Sequence, residues 1–162
     1  MKTILKTFFL IGVFYFFSCE KEVKTATISS PDNNLNVDFF LSDSGTAHYK
    51  ISHKSTVVID SSSLGFDLKD VASLDRNFKI VKTTTNSVDE TWKMPWGEQE
   101  SVRNHYNELT VQLQEKDTLQ RKLNIIFKVY DDGIGFRYEF PEQENLKEVI
   151  ITDENTQFQL TG

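Results

Sequence analysis

The chain has 162 residues, 38% apolar and 26% charged, with 18 basic against 24 acidic side chains and a net charge of −6. An acidic body without a basic patch excludes nucleic acid as a partner, and says nothing about neutral ligands such as sugars. One cysteine excludes any intramolecular disulfide.

Lys2 and Lys6 precede an apolar run over residues 8–17, and Ser18 and Cys19 follow it. A basic start, a short apolar centre and a small residue before the cleavage point read as a secretory signal over residues 1–18. The run is too short for a transmembrane helix, which needs about 20 residues. Cys19 stands where a bacterial lipoprotein signal places its lipidated cysteine, although Phe16 occupies a position where Leu is usual. The alternative is a plain cleaved signal. The favoured expectation is a lipoprotein beginning at Cys19, held by acyl chains on the membrane and exported to the periplasm or outer membrane of a Gram-negative bacterium. Removing residues 1–18 takes away two lysines and no acids, leaving 16 basic against 24 acidic side chains and a net charge of −8. Residues 20–27 carry alternating charges without apolar pattern, and residues 19–29 are expected to form a tether. The folded domain is expected over residues 30–162.

Pro31, Asp32, Asn33 and Asn34 make a turn, since these residue types supply turn dihedrals and local hydrogen bonds. Leu35, Val37, Phe39 and Leu41 then alternate with Asn36 and Asp38, the period of a half-buried strand. Ser44 and Gly45 turn the chain into a strand over residues 47–53, and another follows over 55–60. Residues 64–68 are short and apolar. Residues 78–85 are rich in Val, Ile and Thr, whose branching suits a pleated surface. Leu109, Val111 and Leu113 alternate with Thr110, Gln112 and Gln114, and Leu123, Ile125, Phe127 and Val129 repeat the pattern. Asp131, Asp132 and Gly133 close a hairpin in which Gly133 is expected to take a positive φ. Ile134, Phe136, Tyr138 and Phe140 share one face of the return strand, and Arg137 and Glu139 the other. Pro141 ends it, and short strands are expected over residues 149–152 and 157–160. No segment has helical periodicity. The pattern predicts an all-β chain of many short strands, a sandwich.

Between these strands lies the stretch TWKMPWGEQESVRNHYNELTVQL, residues 91–113, which holds both tryptophans, Trp92 and Trp96. Its plain reading is a surface hairpin with an aromatic plug. Its polar run, Arg103, Asn104, His105, Tyr106, Asn107 and Glu108, needs hydrogen-bond partners wherever it lies. If residues 103–113 form one unbroken strand, Arg103, His105 and Asn107 share a face with Leu109, Val111 and Leu113. Either a bulge near Asn107 turns them to solvent, or they lie at the end of the core face and meet something polar. That partner is either another domain or the sheet itself. Glu98, Glu100 and Glu108 are close in sequence, and a solvated charged edge describes them better than a catalytic pair. His48, His53 and His105 lack metal-ligand spacing. There is no G-x-S-x-G elbow, and Gly133-x-Gly135 follows a strand but opens no helix.

WGE(x)₄RNHYNEL at residues 96–109 and DDGIGFRYEFPEQ at residues 131–143 resemble the N-terminal domain of glycoside hydrolase family 97, the α-glucosidases and α-galactosidases of the starch-utilisation type. The resemblance runs from about Ser30 to Gly162. It implies a mutarotase-like, twisted antiparallel β-sandwich, here incomplete, as the non-catalytic first part of an enzyme that continues into a (β/α)₈ barrel. Family members act on oligosaccharides with inversion or retention, beside a calcium ion. Glycosidases need two carboxylates across the bond, and barrel enzymes place them at barrel strand ends, in about 250 residues that this sequence does not contain. The resemblance therefore implies an inactive portion, with no catalytic residue, cofactor or metal ligand of its own. Calcium is expected only in the full-length enzyme. Trp96, Glu98, Arg103, Asn104, His105, Asn107 and Glu108 become candidates for contact with the barrel or the substrate pocket's rim. The competing expectation is a free-standing, glycan-binding lipoprotein module using Trp92 or Trp96.

Overall fold

The computed structural model describes residues 24–162, and the expected signal and Cys19 lie outside them. All regular structure among the described residues is β-strand. The order is β1 (Thr25–Ser29), β2 (Leu35–Leu41), β3 (Ala47–His53), β4 (Thr56–Leu64), β5 (Phe66–Leu68), β6 (Phe78–Lys93), β7 (Ser101–Glu115), β8 (Lys122–Val129), β9 (Ile134–Glu139), β10 (Ile151–Glu154) and β11 (Gln159–Leu160). They form a five-stranded sheet, β1-β2-β3-β4-β11, and a four-stranded sheet, β6-β7-β8-β9, with β5 and β10 paired separately. Every pairing is antiparallel.

The alternation in the sequence becomes the core directly. Val37 and Phe39 of β2 and Tyr49 of β3 face Val111 of β7 and Ile125 and Phe127 of β8, all fully buried in one cluster. Phe127 is the hinge of that packing, with its ring centroid 6.3 Å from Phe39 and 6.2 Å from Tyr49. Each such side chain contributes about 1.5–3 kcal/mol by leaving water. β8 departs from simple alternation, because Asn124 and Ile126 on its other face are buried too.

The turns follow from residue chemistry with one exception. Lys54 and Ser55 both have positive φ, 47° and 68°, the pattern of a type I′ hairpin between β3 and β4. Gly45 has φ 76°, and a Cβ there would lie 2.7 Å from the backbone nitrogen of Phe78. The exception is the β8–β9 hairpin. It closes with Tyr130 N–H donating to the Gly133 carbonyl at 2.8 Å, yet Gly133 is not among the residues with positive φ. The expected hairpin is present, and the expected reason for its glycine is wrong.

Two boundaries also move. Residues 25–29 are strand rather than tether, because β1 pairs along β2 from Thr25↔Phe40 to Ser29↔Asn36 and buries Ile28. β6 does not end near residue 85. It continues to Lys93, fully paired with β7, although its side chains beyond Lys82 are largely exposed.

Candidate functional site

The polar run and both tryptophans belong to one element, the β6–β7 ribbon. At its base the sandwich core holds it, through Leu109, Val111 and Leu113. Pairing runs without interruption from Lys82↔Gln112 to Lys93↔Ser101, and the register slips only between Ile80 and Lys82. There is no bulge near Asn107. Arg103, His105 and Asn107 therefore continue the core face outward, beyond the part that the opposing sheet covers.

The residues on this face find partners in turn. Asn107 opposes Ser87, whose hydroxyl donates to its side-chain oxygen at 2.7 Å. Its own Nδ2 donates to the backbone carbonyl of Ser29 on β1, at 2.9 Å. His105 Nδ1 stands 4.0 Å from the Asp131 carboxylate, which also accepts from the backbone N–H of Asp32 at 2.8 Å. Arg103 reaches diagonally across the ribbon to Asp89, its Nε and Nη2 each donating at 2.8 Å to a different carboxylate oxygen. That two-point grip holds the Asp89 carboxyl below its usual range and raises Arg103 further. On the other face, Asn104 donates to Glu90 at 2.7 Å. Tyr106 is buried there, its hydroxyl accepting from Lys128 at 3.0 Å.

Among the described residues the polar run finds its partners on β6, on β1 and in the β8–β9 turn. Asp89, Glu90 and Asp131 are the partners that sequence reasoning missed. For Asp89 and Glu90 the signal exists, since ribbon residues oppose one another when their numbers sum to 194, as in Asp89↔His105 and Thr91↔Arg103. Assigning residues 86–93 to strand would have exposed it.

The tip differs from the stem. Met94 N–H donates to the Glu100 carbonyl at 3.0 Å, Lys93 pairs with Glu100 at 3.4 Å, and Gly97 turns the chain with φ 126°. Trp96 is 84% exposed, and Trp92, on β6 rather than in the loop, is 45% exposed. The hairpin is therefore present without a plug: its indoles face outward. Glu98 is exposed at the same tip, and Glu108 is 4.0 Å from Lys128. The three glutamates thus do not form one site. Among the described residues no group of three or more His, Cys, Asp or Glu could hold a metal ion.

The chain has relatives among known proteins. The family profile described as glycosyl-hydrolase 97 N-terminal matches residues 28–162. A retaining α-galactosidase of Bacteroides thetaiotaomicron is 30% identical over 132 residues, 82% of this chain and 19% of that protein. Solved structures of a glycoside hydrolase family 97 enzyme from Pseudoalteromonas sp. strain K8, in complex with panose and with acarbose, have TM-scores of 0.78 and 0.79. Both are 38% identical, with 83% of this chain and 20% of theirs covered. A β-arabinopyranosidase at 24% identity and TM-score 0.75 shares the fold. The chain spans about a fifth of the length of these relatives.

Proposed function

The chain belongs to the glycosyl-hydrolase 97 N-terminal family, and on that premise we propose that it is the non-catalytic, mutarotase-like sandwich of a lipid-anchored α-glycosidase acting on α-glucosides or α-galactosides of oligosaccharides. Its role is to pack on a (β/α)₈ barrel and shape the rim of the substrate pocket. The observation that carries this reading is the β6–β7 ribbon, which ends in an 84% exposed tryptophan. Interfaces concentrate their energy in such aromatic anchors. The Arg103–Asp89 and Asn104–Glu90 bonds brace the stem, so the ribbon presents Trp96 with little freedom left to lose on docking. Residues 96–108 then supply contact, and calcium and the catalytic carboxylates belong to the barrel.

A second reading rests on the same indole. An exposed aromatic face stacks on a sugar ring, which would make the chain a free-standing glycan-binding module.

The activity assay separates this reading from an enzyme in its own right. Release of nitrophenol from α-glucoside and α-galactoside reporters, with calcium present, is expected to be absent for this chain. Turnover that survives purification and disappears on one carboxylate substitution would overturn the proposal. Saturable binding of maltooligosaccharide, abolished by Trp96→Ala, would favour the second reading.

A further inference from the structure

β6 is an edge. β7 covers one side of it, and among the described residues no strand covers the other. An open edge presents a row of unpaired N–H and C=O groups, which proteins usually blunt with short length, charge, proline or a bulge. β6 is 16 residues long, and its one bulge sits at Val81, where the register slips. From Lys82 to Glu90 the pairing with β7 is unbroken, and residues 83–88, Thr-Thr-Thr-Asn-Ser-Val, carry no charge. This is an unbroken strand template flanked by a lysine at one end and acids at the other.

We propose that this edge docks on the same edge of a second copy of the chain, antiparallel about a two-fold axis at Asn86. In a two-fold strand pair within one sheet, opposed residues have side chains on the same face. Lys82, Asn86 and Glu90 meet this condition, since they oppose Gln112, Glu108 and Asn104 of β7, which all share one face. With Asn86 on the axis, Lys82 falls opposite Glu90 of the second copy, and symmetry makes that pair twice. Thr84 meets Val88, and Thr85 meets Ser87. Moving the axis to Thr85 or Ser87 sets Lys82 against Val88 or Trp92 and loses both pairs, so charge selects the register. Among the described residues Lys82 has no carboxylate partner within its own chain, and Glu90 uses only one oxygen, Oε1, to accept from Asn104. The pairing ends at Glu90, which leaves the ribbon tip free for the contact proposed above and does not depend on it.

Sedimentation equilibrium on the chain carrying Cys19→Ser tests this. A dimer is expected, its dissociation constant raised about tenfold by Lys82→Glu or by Glu90→Lys, because each replaces two attractive cross-strand pairs with repulsive ones. The double reversal should restore it. Asn86→Cys in the same background should oxidise to a covalent dimer, whereas Thr83→Cys, opposed to Asp89, should not. A monomer at every concentration would overturn the proposal, as would a dimer indifferent to the reversals or equal cross-linking of both cysteine variants. A monomer whose residues 83–88 all resist hydrogen exchange would identify an occupant within the same chain, and would overturn it too.

Discussion

Asn107 on the four-stranded sheet donates its side-chain amide to the carbonyl of Ser29 on the five-stranded sheet, at 2.9 Å. This bond lies where the β6–β7 ribbon leaves the sandwich, so it closes the core face and anchors the stem together. Asn107→Ala removes both it and the bond from Ser87. A loss of about 0.5–1.5 kcal/mol per hydrogen bond is expected, read as a lower urea midpoint with unchanged slope.

Glu115 and Arg121 form the most deeply buried ion pair among the described residues, with side chains 3% exposed. Arg121 donates to both carboxylate oxygens, at 2.7 and 2.6 Å, and to the carbonyls of Ala72 and Ser73, at 2.7 and 2.9 Å. The pair clamps the β7–β8 turn to the loop before β6. Removing one partner strands the other charge, so Arg121→Met should cost about 3–5 kcal/mol in chemical denaturation. Glu115→Leu combined with Arg121→Met should recover part of that loss, because no lone charge remains.

Asp32 organises the turn before β2, accepting from the Ser30 hydroxyl, the Asn34 backbone N–H and the Asn34 amide. The Ser30 bond is the largest cause that lowers its carboxyl from 3.8 to about 2. A depressed carboxylate contributes fully above its ordinary value and loses that contribution as pH falls through the folded-state value. Stability should therefore fall between pH 3.8 and about 2, and Asp32→Asn should flatten that part of the profile. Urea midpoints measured down the acid range give the comparison.

The Cys19 expectation has its own assay. Metabolic labelling with a radioactive fatty acid should tag the wild-type chain and not Cys19→Ala, and the wild type should stay with membranes. Equal release of both into the soluble fraction would remove the anchor from the account.

The sandwich was legible because β2, β3, β7 and β9 alternate, and burial on one face is what alternation encodes. The distal half of β6 was not, since residues 83–93 are exposed on both faces and no apolar period marks them. β1 was missed for a related reason: a five-residue strand with only Ile28 buried resembles a tether. The polar run was legible, and unbroken strand parity already puts Arg103, His105 and Asn107 on the face of Leu109 and Val111. Its partners were not, because Asp89 and Glu90 lie on the distal part of β6, and Asp131 and Ser29 lie outside the ribbon. The Glu115–Arg121 clamp left no trace, since two charges six residues apart around a turn look like any solvated pair.

The docking role of the ribbon is the central claim, and Trp96 tests it most directly. In this chain Trp96→Ala should shift stability by no more than about 0.5 kcal/mol, as for a surface substitution. In a full-length family member, the equivalent substitution should cost about 2 kcal/mol or more, as for an interface anchor, with activity falling as the sandwich loosens from the barrel. Denaturant unfolding of both proteins, with and without the substitution, gives the two differences. A large loss in the full-length protein beside a silent change here is the predicted result. Equal losses in both, or none in the full-length protein, would contradict the account.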